Sequence, residues 1–157
     1  IDSGNMSFHC EDCSAHHFAE TVYQTHQVII LPPVEFIKEF PDEDVTIHID
    51  RMRLTQVITN FLGNAKKFTS QGHIKLGYFC DKEKKEIHIF VEDTGAGIPK
   101  EELQMIFERF YKRNEFVQGV GLGLAISKVI VEKMNGHIDV QSEVNKGSRF
   151  TAVLPYL

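Results

Sequence analysis

The clearest pattern along the chain is an apolar stripe. Leu54, Val57, Ile58, Phe61, Leu62 and Ala65 recur at i, i+3, i+4, i+7, i+8 and i+11, the spacing of one helix face. Asp50 stands before them as an N-cap, so the spacing predicts a helix from Asp50 to about Phe68. Ser14 to about His26 reads as an earlier helix capped by Ser14. A later one runs from about Leu122 to Met134 and is stopped by Asn135-Gly136. Lys100 to Ile106, with Glu101 and Glu102 in its first turn, predicts a further short helix. Between these segments the period changes to two. His73–Cys80 and Ile87–Val91 flank the charged turn Asp81–Glu86 and predict a hairpin, with Ile87, Ile89 and Val91 inward and His88, Phe90 and Glu92 outward. Val45–Ile49 predicts a strand, and Pro32-Pro33 and Pro41 bracket another. His137–Gln141 and Ser148–Leu154 close the chain around a Glu143–Gly147 turn. Helices interleaved with antiparallel hairpins predict an α/β sheet with helices on one face.

Composition adds limits. A chain of 157 residues is one domain, long enough to bury roughly 68–70% of its unfolded surface. With 42% hydrophobic and 25% charged residues it matches the globular average, which excludes general disorder. Its net charge of −5 argues against binding nucleic acid or an anionic membrane through bulk charge. Nothing near Ile1 reads as a signal peptide and no apolar run is long enough for a membrane span. The absence of an initial Met predicts a piece of a longer protein. The odd count of 3 Cys points to a reducing compartment. His9-Cys10-Glu11-Asp12-Cys13 with His16 has a spacing that zinc sites use, and Cys80 reads as a buried strand residue.

Three segments carry chemistry. On the stripe helix, at about 100° per residue, Arg53, Asn60, Asn64 and Lys67 fall on one shoulder. Amide oxygens are hard ligands suited to Mg²⁺, and a lysine one turn on can hold phosphate oxygens; a solvated helix flank is the plainer alternative. Asp93-Thr94-Gly95-Ala96-Gly97-Ile98 puts a carboxylate at a strand end, able to accept from an exocyclic amine such as that of adenine, before glycines that let a ring approach the backbone. An ordinary strand-to-helix turn uses the same residues. Gly119-Val120-Gly121-Leu122-Gly123-Leu124 leads into a helix whose free N–H groups suit phosphate. It is neither the dinucleotide fingerprint nor a Walker A loop.

Taken in order, these segments resemble the catalytic, ATP-binding domain of sensor histidine kinases. That domain belongs to the GHKL group with gyrase, the heat-shock chaperone ATPases and the mismatch-repair ATPases. Asp50–Thr69 is similar to the family's N box and Asp93–Ile98 to its first glycine box. Phe107-Glu108-Arg109-Phe110 is similar to its F box, Gly119–Leu124 to its second glycine box, and Gly147-Ser148-Arg149-Phe150 to its last box. The resemblance covers about residues 6–157 and leaves 1–5 as the tail of an upstream dimerisation hairpin. It implies the GHKL fold, a mixed and mostly antiparallel sheet covered on one face by about three helices. It implies a strand entering a helix, without metal, at Cys10–His16.

The same resemblance implies roles. Asn64 would coordinate Mg²⁺, with Asn60 as second ligand or phosphate contact, and Lys67 would reach the phosphates. Phe68 would pack on adenine, Asp93 would accept from its amine, and Ser148 would support that contact through a water. Gly95, Gly97 and Ile98 would line the base pocket. Gly119, Gly121 and Gly123 would present backbone to the phosphates. Phe107, Phe110, Val120, Leu122 and Leu124 complete the implied nucleotide set, with Arg109 and Lys112 as further phosphate contacts, and about Pro99 to Gln118 would be a lid. The implied cofactors are ATP and Mg²⁺. The implied partners are the protein's own phosphoacceptor hairpin, a response regulator or receiver domain, and a second copy in the full-length protein. The fragment itself would be monomeric and cytoplasmic, its parent free to be membrane-anchored.

Two departures sharpen the expectation. Gln56 stands one turn before Asn60, where the ATP-hydrolysing relatives carry a glutamate that activates water; a neutral amide cannot be that base. None of the 8 His is followed by an acid, as a phosphoacceptor histidine would be. The expected activity is transfer of the γ-phosphate to a histidine on another domain. The alternatives are a GHKL serine kinase or ATPase, and a degenerate nucleotide-binding module.

Overall fold

The computed structural model describes residues 7–103, 105–107 and 120–157. The elements in chain order are β1 (Glu11–Ser14), α1 (Ala15–Gln27), β2 (Val34–Glu39), β3 (Thr46–Ile49), α2 (Arg51–Phe68), β4 (Gly72–Asp81), β5 (Glu86–Asp93), α3 (Val120–Lys133), β6 (His137–Glu143) and β7 (Gly147–Pro155). Five strands form a mixed sheet in the order β2-β4-β5-β7-β6. Only the β2–β4 pair is parallel. β1 and β3 form a separate antiparallel pair. The three α-helices pack on one face of the large sheet, as the α/β expectation requires.

The stripe behaves as its period demands. All six of its residues are buried, and they meet Ile74, Leu76 and Tyr78 of β4, Ile87, Ile89 and Val91 of β5, and Phe150, Ala152 and Leu154 of β7 in one core. Both N-caps form: the Ser14 hydroxyl accepts from His17 N, and Asp50 Oδ1 accepts from Arg53 N at 3.1 Å. Among the described residues, no helix is long and apolar enough to cross a membrane.

Three expectations are corrected. The helix over Lys100–Ile106 is a 3₁₀ turn, Lys100–Glu102, followed by turns: Glu102 N, Leu103 N and Met105 N donate three residues back, to Pro99, Lys100 and Glu102 oxygens. Leu103, Ile106 and Phe107 reach the core from these turns. Phe90 is buried although it points away from the helices. Its ring fills the space above Gly77 and lies 4.0 Å from the Arg149 guanidinium. Cys80 is half-buried rather than buried. The segment around Cys10–His16 is a strand entering a helix, as the resemblance implies: Cys13 is buried against Arg51, Cys10 is exposed, and His16 Nδ1 faces the Tyr78 hydroxyl.

Gly63 sits inside α2, and a Cβ built there would meet nothing within 4 Å. Glycine in a helix interior costs about 1 kcal/mol relative to alanine. Gly63→Ala is therefore expected to raise unfolding stability by about 1 kcal/mol in a denaturant titration.

Candidate functional site

Asp93 is the last residue of β5, opposite Ile74 of β4 and Ser148 of β7. The strand ends there, so the side chain turns inward at the sheet edge of the α2 cap and is only 7% exposed. Burial pushes its pKa above the ordinary 3.8. The Gly95 N–H at 2.8 Å, the Ser148 N–H and the Thr69 hydroxyl pull the other way without prevailing. The Thr69 hydroxyl faces this carboxyl but does not reach hydrogen-bond geometry. Thr69 Oγ1 is buried with no partner among the described residues. A desolvated carboxylate beside an unpaired buried hydroxyl is a donor and an acceptor poised for a third group.

The loop after Asp93 is strapped at both ends. Ala96 N donates to Phe68 O, and Asn145 N donates to Ala96 O at 2.8 Å. Ile98 N donates to Ser142 Oγ at 2.7 Å, and Ser142 Oγ lies 2.8 Å from Ser148 Oγ. Gly97 has φ +74° against the Glu143 carbonyl, and Gly147 has φ +120° against the Asp93 carbonyl. A side chain at either would collide with backbone and strain φ. Gly95 in turn faces the Phe68 carbonyl. These glycines are required first by the protein's own packing, not by an approaching ring.

The second half of the site is the contact between α2 and α3. Asn60 is half-buried, and its Nδ2 donates at 3.2 Å to both Gly123 O and Ser127 Oγ. A Cβ on Gly123 would stand 3.4 Å from the Asn60 amide carbon, an ordinary contact distance. The Gly123 carbonyl is an acceptor, so the amide must turn its nitrogen to α3 and its oxygen away. Asn64, one turn on, is half-buried. Lys67 is exposed, and Phe68 packs partly against the core. Ser127→Ala is expected to cost about 1 kcal/mol of stability, because the fully buried Ser127 hydroxyl is one of two acceptors holding Asn60.

Helix α3 begins at Val120, two residues earlier than the sequence predicts. Val120, Gly121, Leu122 and Gly123 are therefore its first turn, whose backbone N–H groups have no intrahelical acceptor. Leu124 is buried in the core. Ile98, Leu103 and Phe107 pack partly against it. Arg109, Phe110, Lys112 and Gly119 lie outside the described residues. Sequence reasoning missed Thr69, Ser127 and Ser142. Thr69 directly follows Phe68 at the α2 C-cap, and Ser127 is one turn beyond Gly123. Either would have emerged from asking which residues neighbour Asn60 and Asp93 once α2, α3 and β5 are packed.

The family described as "Histidine kinase-, DNA gyrase B-, and HSP90-like ATPase" matches residues 49–157, which hold every one of these groups. The chain belongs to this family. It is 34% identical to the sensor histidine kinase WalK of Bacillus subtilis over 161 aligned residues, covering 99% of this chain and 26% of WalK. It is 44% identical to the sensor protein SrrB of Staphylococcus aureus over 110 residues, covering 68% of this chain and 19% of SrrB. The chain thus spans about a quarter or less of these relatives. Among solved structures it is similar to full-length ShkA in complex with AMPPNP, with TM-score 0.85 and 27% identity over 96% of this chain and 32% of that one. It is also similar to the catalytic domain of the histidine kinase ThkA, with TM-score 0.82 and 28% identity over 94% of this chain and 96% of that one. The fold is that of histidine kinase catalytic domains, and the sensor-kinase relatives place the chain among the histidine kinase members of this family.

Proposed function

We propose that this domain binds Mg²⁺-ATP across the α2, β5 and α3 surfaces and donates the γ-phosphate to a histidine on a separate helical hairpin. The observation that carries the reading is the buried Asp93 carboxylate with the unpaired Thr69 hydroxyl beside it. An adenine edge offers an exocyclic amine to the first and a ring nitrogen to the second, so both buried groups find partners. Ser148, held by Ser142 at 2.8 Å, stands on the far side of that edge, where the family resemblance implies a bridging water. Gly95, Gly97 and Ile98 bound the base, and Phe68 covers it.

At the other end, the Asn60 and Asn64 amide oxygens and the first turn of α3 face the phosphates, with Lys67 adding a cation. The donor set fits Mg²⁺: hard oxygens on one helix face, with the Asn60 nitrogen already committed to Gly123 and Ser127. Bound there, Mg²⁺ would neutralise charge on the β- and γ-phosphates. The chain's own residues position and neutralise, and a general base would come from the hairpin. Gln56 is half-buried one turn before Asn60, and its amide cannot take a proton from water, which favours transfer over hydrolysis. The attacking histidine belongs to the upstream hairpin, and a response regulator or receiver domain is the downstream partner. The test is calorimetric titration with ATP, with and without Mg²⁺. One site per chain whose affinity rises with Mg²⁺ supports the reading, and no saturable binding contradicts it.

A further inference from the structure

The end of the β4–β5 hairpin farthest from Asp93 holds a cluster that the nucleotide site does not use. Asp81 of β4 pairs directly with Glu86 of β5, and Phe79 with His88. By strand alternation all four side chains stand on the sheet face away from the helices. One ligand atom each of Asp81, Glu86 and His88 lie within 4.8 Å of one another, and all three residues are half-buried. Two like charges placed directly opposite across a ladder repel. Among the described residues, no lysine or arginine stands within ion-pair distance of either carboxylate. Lys82 is drawn to Glu43 at 2.7 Å, and Lys85 lies over the Tyr156 ring.

The imidazole adds an independent observation. Among the described residues the buried His88 Nε2 finds no hydrogen-bond partner; Glu86 Oε1, at 3.6 Å, is beyond that range and pairs with the ring only when it is protonated. The ring is held in place by Phe79, stacked at 4.6 Å with planes 17° apart. Asp81 is fixed as well: its Oδ1 accepts from Glu83 N and Lys84 N at 3.1 and 3.2 Å, which leaves Oδ2 outside that turn. A ring nitrogen without a hydrogen bond, a preset ring plane and two carboxylates with no lysine or arginine partner make up a ligand set of one nitrogen and two oxygens.

We propose that Asp81, Glu86 and His88 bind a divalent transition-metal ion of the zinc class, with water completing its shell. Imidazole with carboxylate suits Zn²⁺, whereas Mg²⁺ and Ca²⁺ ask for more oxygens than the cluster offers. The ion would cancel the cross-strand repulsion, satisfy Nε2 and pin the hairpin end. Seven residues of strand, about 3.4 Å each, place it roughly 24 Å from Asp93, so it is distinct from the nucleotide site.

The test is titration of the nucleotide-free chain with zinc chloride, in a Cys10→Ser background that removes the exposed thiol. One Zn²⁺ per chain in the micromolar range is expected, not displaced by millimolar Mg²⁺. At least tenfold weaker binding is expected in His88→Gln and in Glu86→Gln. The ring ¹⁵N resonances of His88 should move on saturation in the unmodified side chain. No saturable binding, binding that survives both substitutions, displacement by Mg²⁺, or His88 resonances that stay in place would each overturn the proposal. The ¹⁵N readout decides the matter even where a substitution prevents folding.

Discussion

Asp93→Asn is expected to weaken adenine-nucleotide binding at least tenfold in calorimetry, while the ligand-free domain loses little or no stability at neutral pH. A hydrogen bond to a charged group contributes about 1.5–3 kcal/mol, and about 1.4 kcal/mol is a factor of ten, so one such bond accounts for the loss. Asparagine is also the wrong shape of partner. The carboxylate already accepts from Gly95 N–H and Ser148 N–H. An amide in its place would have to turn an NH₂ group toward one of those donors or toward the adenine amine. Unchanged affinity in this variant would remove Asp93 from the adenine contact.

The stability side follows from linkage. The folded-state pKa of Asp93 lies above the ordinary value, chiefly because the group is buried. Between the unfolded and the folded pKa the native state binds more protons than the unfolded state. Stability therefore falls as pH rises through that window, and above it the ionised carboxylate is a constant cost. That cost is offset when a ligand donates to the carboxylate. Affinity should therefore fall on acidification, starting above the pH at which an ordinary aspartate protonates. Adenosine is the probe of choice, because it has no phosphate to protonate. An acid-insensitive adenosine affinity would contradict the assignment.

The second large effect is expected at Asn64. Asn64→Ala should bring ATP affinity in Mg²⁺ down to the affinity measured in a chelator, a loss of tenfold or more. Asn60 is the less informative position, although it lies closer to α3. Removing its amide strips donors from the Gly123 carbonyl and the buried Ser127 hydroxyl, which costs about 1–3 kcal/mol of stability and confounds the binding readout. Asn64 separates the two effects. Full Mg²⁺ dependence in Asn64→Ala would exclude it as a ligand.

The elements that proved legible in the sequence were those whose period reports a buried face. The α2 stripe, the two N-caps and the β4–β5 hairpin needed only local spacing. Phe90 did not follow its period, because alternation reports which face a residue is on and not what covers that face. Here Gly77 leaves a hollow, and Arg149 closes it. The 3₁₀ turn at Lys100–Glu102 was misread because acids after a proline signal a helix start without saying whether packing will extend it. Asn60 stood out because asparagine in a helix interior breaks a local preference, whereas Asp93 and the glycines, which an ordinary turn also uses, gained their reading from the order of the motifs. Thr69, Ser127 and Ser142 broke none. They acquire their significance from strand register and from α3 lying against α2, which no single segment encodes.

The central claim is that this domain supplies the phosphate and another domain accepts it. Its most direct test joins the domain to its upstream hairpin and follows ATP labelled at the γ-phosphate. The account predicts acid-labile label on a histidine of the hairpin, none on the domain alone, and at least tenfold slower transfer at subsaturating ATP when Asp93 is replaced by Asn. Label released as inorganic phosphate by the isolated domain, with none on the hairpin, would contradict it.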